Sequence, residues 1–231
     1  MIIMATLLGC QMPEFESVDI SISDDVTGSN QASAMDITTD DIIEIIGAKE
    51  NPFNHGKVRI STLSNVSLNK VQQVKLNPVA SMDEYQELFR EAEIKMFISE
   101  VDSLLQNARM SERGKPSSSL LRPMHQELNR LTRSEASKKY AIFYTDLLEH
   151  STIFSSYSKV DMKFLEEHRK KFTERVLEKA PLPQSLAGIK VFIINSQQQS
   201  DVNFQLISDW YFEVLTSRGA DVYVGANLIL D

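Results

Sequence analysis

Two short stretches of this 231-residue chain gather oxygen-bearing side chains where chemistry is often done. Asp25, Thr27 and Ser29 lie in Asp24-Asp25-Val26-Thr27-Gly28-Ser29-Asn30, directly after Val18–Ser23, whose apolar/polar alternation predicts a half-buried strand. Thr145 and Asp146 follow Tyr140–Tyr144, a continuous apolar run of the kind found in a strand covered on both faces. A third polar loop offers Ser117, Ser118 and Ser119, just before a helical pattern that opens at Leu120. Carboxylates and hydroxyls together form a hard-oxygen set, which suits Mg²⁺: that ion wants near-octahedral oxygens and gives up its waters reluctantly.

Each of these residues also has an ordinary structural role. Thr27, Gly28 and Ser29 read as a turn and Asp25 as a helix cap; the case for a site rests on Asp146 standing at a second strand end. His55, His125, His150 and His168 lack the spacing of metal ligands and read as surface or packing residues. Trp210, Tyr211 and Phe212 cannot all share one helix face, so one of them is expected outside the core. The alternative chemistry is a Rossmann-like, metal-dependent phosphohydrolase using Asp25. It lacks a second Asp two residues on, where Thr27 stands, and the chain has no GxxxxGK[ST], GxGxxG or GxSxG motif.

Ligand-bearing loops need elements to hold them. Thr38 with Asp41 forms a capping box before Ile42, Ile43, Ile45 and Ile46, a short buried helix that stops at Gly47. Lys57–Leu63 and Lys70–Leu76 read as an antiparallel hairpin. Ser81 with Glu84 opens a long helix to about Ala108, with an apolar stripe expected at Tyr85, Leu88, Phe89, Ala92, Met96, Val101, Leu104, Leu105 and Ala108. After the helix at Leu120 and the strand at Tyr140 come one helix from about Asp161 to Lys179, a strand at Ile189–Ile194, a helix from Asn203 to Arg218 and a last strand at Asp221–Val224. The order β-α-β-β-α-α-β-α-β-α-β predicts a three-layer, doubly wound, mostly parallel sheet with one antiparallel edge hairpin. Ligands bind such sheets outside the carboxyl ends of the strands, where Asp25 and Asp146 stand.

Element order and motif placement together resemble the von Willebrand factor type A family, here as a bacterial member. Asp25-Val26-Thr27-Gly28-Ser29 matches its D-x-[ST]-x-S motif, Ser118 is the best candidate for its third-loop ligand, and Thr145-Asp146-Leu147 matches its T-D-G except for the glycine. The resemblance runs from about Val18 to Val224. It implies a non-enzymatic interaction domain with a metal-ion-dependent adhesion site. A divalent cation, Mg²⁺ or else Mn²⁺ or Ca²⁺, is held by Asp25, Thr27, Ser29, Ser118 and Asp146 and completed by an acidic side chain of a partner protein.

Charge and cysteine use set the remaining expectations. The net charge is −8, and residues 1–50 hold ten acidic side chains against Lys49 alone, with the rest nearly balanced. Without a basic stripe carrying aromatics, nucleic-acid binding is not expected. The single cysteine, Cys10, excludes an internal disulfide, and Leu7-Leu8-Gly9-Cys10 resembles a bacterial lipobox, although no Lys or Arg precedes it. The expected organisation is therefore residues 1–12 as remnant signal and tether, acylated at Cys10 in the cell envelope, and residues 13–231 as one domain; without acylation the protein is expected in the cytoplasm.

Overall fold

The structure is a computed structural model describing residues 15–27, 35–63, 71–79, 84–111, 119–195 and 202–230. Cys10, Ser29, Ser117 and Ser118 lie outside the described residues. Strand β1 (Ser17–Asp25) sends Val18, Ile20 and Ile22 to one face and Asp19, Ser21, Ser23 and Asp25 to the other, as the period of two requires. It leads through α1 (Thr39–Ile46) to the hairpin of β2 (His55–Leu63) and β3 (Val71–Leu76). The chain continues as α2 (Glu84–Arg109), α3 (Leu121–Thr132), β4 (Lys138–Tyr144), α4 (Lys159–Glu167), α5 (Arg169–Lys179), β5 (Ile189–Ile194), α6 (Val202–Thr216) and β6 (Asp221–Gly225). The sheet order is β3-β2-β1-β4-β5-β6, all parallel except the β2–β3 pair. This is a mixed α/β architecture with the expected order of elements, one helix split in two, and the expected antiparallel edge hairpin.

Two apolar cores sandwich the sheet. On one face α1 and α2 bury Ile42, Ile46, Phe97, Val101 and Leu105 against Ile20, Ile22, Val58 and Ile60. On the other, α3 to α6 bury Leu128, Phe172, Trp210 and Leu215 against Phe143, Val191 and Ile193. Trp210 and Tyr211 are core and Phe212 is the exposed member of the aromatic triplet. The Thr38–Asp41 capping box forms, and Gly47 ends α1 at φ 69°, the left-handed region that glycine enters without a Cβ clash.

Two local expectations are corrected. The segment expected as one helix over 161–179 is broken at His168, whose φ of −134° and ψ of 43° are not helical. The break lets Leu165 of α4 and Phe172 and Val176 of α5 reach the same core. On α2 the apolar stripe holds for Val101, Leu105 and Ala108, but Leu88 and Met96 are 72% and 65% exposed. The inward place in the first half belongs to Arg90, 1% exposed. Its Nε donates to Pro52 O and its two Nη to Asn77 O and Asn54 O, each at 2.7 Å, with Glu93 Oε2 at 2.9 Å. A buried guanidinium is tolerated when acceptors meet its fork of donors, and here the fork ties three loop carbonyls to one helix.

Candidate functional site

The carboxyl ends of β1 and β4 lie side by side in register, with Asp24 opposite Tyr144, which brings Asp25 and Thr145 together. Asp25 is the last residue of the strand rather than a loop residue, and it is 1% exposed. One carboxylate oxygen, Oδ1, accepts from Thr27 N at 2.9 Å and Thr27 Oγ1 at 2.6 Å; the other, Oδ2, accepts from Thr145 Oγ1 at 2.9 Å. The Thr145 hydroxyl in turn accepts from Leu147 N at 2.9 Å, so one side chain bridges two loops. Burial pushes the Asp25 carboxyl up to about 7; the two Thr27 bonds oppose that rise and the charge of Asp146 adds to it.

Asp146 accepts from Leu148 N at 2.9 Å, closing an Asx turn. Between them Leu147 adopts φ 58°, a left-handed conformation that a residue with a Cβ rarely takes. The leucine is held there by burial at 2% exposure in the core beneath α3 to α6.

Several participants were not foreseen. Glu149, buried, accepts from Leu120 N at 2.7 Å and Leu121 N at 2.9 Å through one oxygen. It caps the start of α3 from across the fold, where Leu120 itself supplies no side-chain cap. Burial raises its carboxyl above the ordinary range in spite of those bonds. Ser156 accepts from Glu149 N at 2.8 Å and is tied to α6 through Asn203 Nδ2, which donates to Ser156 O at 3.0 Å. On the other face Tyr144 donates to Asp36 Oδ1 at 2.7 Å and accepts from Ile37 N, while Arg109 holds Met35 O and Ile37 O. The residues before α1 are thus anchored by α2 and β4. A long-range cap of this kind leaves no local spacing to find; the signal available was an acidic residue five positions beyond the end of an apolar strand.

The structure brings Asp25, Thr27, Thr145 and Asp146 to one end of the sheet. Among the described residues no group of three or more His, Cys, Asp or Glu is placed to hold a metal ion. Clefts of 450 and 360 Å³ open elsewhere, at the amino ends of the strands, lined in the first case by Asp19, His55, Lys57 and Lys75 and in the second by Lys138, Lys139 and Lys190. None of the four histidines is a metal ligand in a described cluster; His125 is packed in the core, where burial lowers its imidazole to about 4 and its Nδ1 meets Ala180 O at 2.8 Å.

No family model matches the chain, and no curated protein matches it. Among solved structures the chain is similar to a point mutant of the PilB minor pilin from Streptococcus sanguinis. That match has a TM-score of 0.50 and 13% identity over 94% of this chain and 59% of that one. It is also similar to the PilB minor pilin without that mutation, at a TM-score of 0.44 and 14% identity over the same shares. The chain thus spans 59% of the solved pilin's length. The first match shows a common fold.

These findings correct the functional expectations. The structural neighbours are minor pilins and no family model matches, so the assignment to the von Willebrand factor type A family is set aside. With it goes the metal-ion-dependent adhesion site completed by a partner's acidic side chain, together with its metal-binding and magnesium character. The phosphohydrolase alternative falls with the same finding, and the geometry gives a physical reason. A nucleophilic carboxylate must be reachable, whereas Asp25 is buried and tied by two threonines.

Proposed function

We propose that this chain is a structural, non-enzymatic domain of a surface filament, a pilus-associated subunit whose work is contact with other proteins. The observation that carries the reading is the fold shared with a minor pilin over 94% of the chain. The polar cluster at the carboxyl end of the sheet supports it: the bond from Thr145 to Asp25 and those from Leu120 and Leu121 to Glu149 run between loops, while Thr27 and Asp146 hold their own turns. Asp25, Thr27, Thr145, Asp146 and Glu149 then act as braces that fix the loops of one end of the subunit. No helix among the described residues is long and apolar enough to cross a membrane.

The test is fractionation of cells that produce the protein. Filaments sheared from the surface should carry the chain, detected by antibody, and disruption of its gene should change filament number or composition. Its absence from both the sheared filaments and the cell surface would overturn the reading, as would turnover of a phosphate ester that Asp25→Asn abolishes.

A further inference from the structure

The two faces of the sheet are not equally covered. On the face carrying Asp19 and Ser21, α3 packs over β1 and β4; β2 is buried there at Ser61 and Leu63 but partly open at Lys57 and Arg59, and β3 exposes Val71, Gln73 and Lys75. The register puts Lys57 beside Lys75 and Arg59 beside Gln73 on that open face, forming a ledge with α3 as its wall. At its lower end lies the 450 Å³ cleft, which Glu135 also lines.

Charge on the ledge is out of balance. Asp19 binds both Lys57 Nζ at 2.8 Å and Arg130 Nη1 at 3.0 Å. Glu127 binds both Arg59 Nη2 at 3.2 Å and Arg130 Nε at 2.8 Å. Three cations therefore share two carboxylates. Lys75 adds a fourth, exposed and with no carboxylate paired to it among the described residues. Arg59 Nε and Arg130 Nη2 find no acceptor among the described residues, but both atoms are buried, so the accessible charge of the ledge is that of Lys75. With Glu135 in the same cleft, four cations face three carboxylates, a net positive ledge on a chain of net charge −8.

Beside the ledge runs an open strand edge. β3 is the terminal strand of the sheet, and among the described residues no strand pairs with its outer side. Six residues of unpaired edge present a row of backbone donors and acceptors about 20 Å long. A strand added there sends every second side chain, about 7 Å apart, to the same face as Val71, Gln73 and Lys75.

We infer that the β3 edge is a docking site for an extended acidic segment of a partner subunit, added to the sheet as a strand that sets carboxylates at alternate positions beside the exposed Lys75. The inference rests on the filament-subunit reading and names the chemistry of the neighbour. The backbone supplies affinity and Lys75 supplies selection. A second copy is disfavoured at this edge because pairing two ledges brings like charges together.

The test uses the chain as it stands and eight-residue peptides. One alternates Glu with Val, a second alternates Lys with Val, and a third is the Glu peptide with two prolines at inner positions. The Glu-Val peptide should bind at least tenfold more tightly than either of the others, weaken as salt is raised, and protect the amides of residues 71–76 from hydrogen exchange. Lys75→Glu, an exposed substitution that leaves the core intact, should cost it tenfold or more. Equal binding of the proline peptide would reduce the contact to charge alone and overturn strand addition. Equal binding of the Lys peptide, or indifference to Lys75→Glu, would overturn the acidic partner. Sedimentation showing that the chain dimerises and loses dimer on peptide addition would assign the edge to a second copy instead. Since these measurements need no filament, their failure is distinguishable from a failure of the fractionation test.

Discussion

Replacing Asp25 by Asn turns the most perturbed described carboxyl into a direct readout of how the carboxyl-end cluster is held. The wild-type group has an ordinary value of 3.8 and is pushed up to about 7 in the folded chain, chiefly by burial. Folding therefore binds a proton that the unfolded chain releases above pH 4. Stability from this group is fully present below pH 4, falls as pH rises toward 7, and is lost above it. At about 1.4 kcal/mol per pH unit, the interval amounts to a ceiling of about 4 kcal/mol. Asn is neutral throughout and keeps an acceptor for the two Thr27 bonds, so Asp25→Asn should match wild type near pH 4 and exceed it by several kcal/mol at pH 8. Urea unfolding at half-unit steps from pH 4 to 8.5 measures the difference between the two proteins. Groups common to both cancel in that difference, including Asp19, whose carboxyl is lowered by Arg130 and Lys57 against the opposing and largest effect of burial. Parallel pH profiles, or an Asn variant less stable than wild type at pH 8, would refute the reasoning.

Two further outcomes follow from other buried groups. His125 is held neutral with its imidazole lowered to about 4, so the unfolded chain takes up a proton below 6.5 that the folded chain refuses, and stability falls as pH drops from 6.5 toward 4. His125→Gln should flatten that acid limb while losing about 1 kcal/mol at pH 7 from the Ala180 contact, read by the same urea titration. Arg90→Met should cost about 3–5 kcal/mol, because Pro52, Asn54 and Asn77 carbonyls lose their donor together; a loss below 1 kcal/mol in the unfolding midpoint would contradict the clamp.

The order of elements along the chain was legible because each strand carries its own periodicity and each turn its own breakers. Val18–Ile22 alternates, Tyr140–Tyr144 does not, and the structure puts the first beside a polar face and the second between two cores. The juxtaposition of Asp25 with Thr145 was legible too, since both end neighbouring parallel strands. The role of that meeting was not, because hydroxyl and carboxylate side chains that bind one another have the composition of side chains that bind an ion. On α2 the hydrophobic count pointed outward: Leu88 and Met96 are apolar and exposed, while the inward position is a charge satisfied by carbonyls distant in sequence. Nor does the pattern around His168 disclose a break, as Phe164, Leu165, Phe172 and Val176 fit one continuous helix as well as two. Glu149 escaped notice because its partners are backbone N–H groups about thirty residues away, which leave no trace in side-chain spacing.

The strand order also fixes how the domain meets a mechanical load. β1 begins at the amino end of the sheet and β6 finishes at the carboxyl end, with β4 and β5 between them, every neighbouring pair parallel. Tension between Ser17 and Gly225 therefore slides strands lengthwise past one another instead of peeling them apart. The seven registered residue pairs of β1 and β4, from Val18–Lys138 to Asp24–Tyr144, share the pull and must rupture together. Unzipping geometry would load those bonds one at a time. Under sustained traction the lifetime of the fold is set by the rate of that single concerted shear.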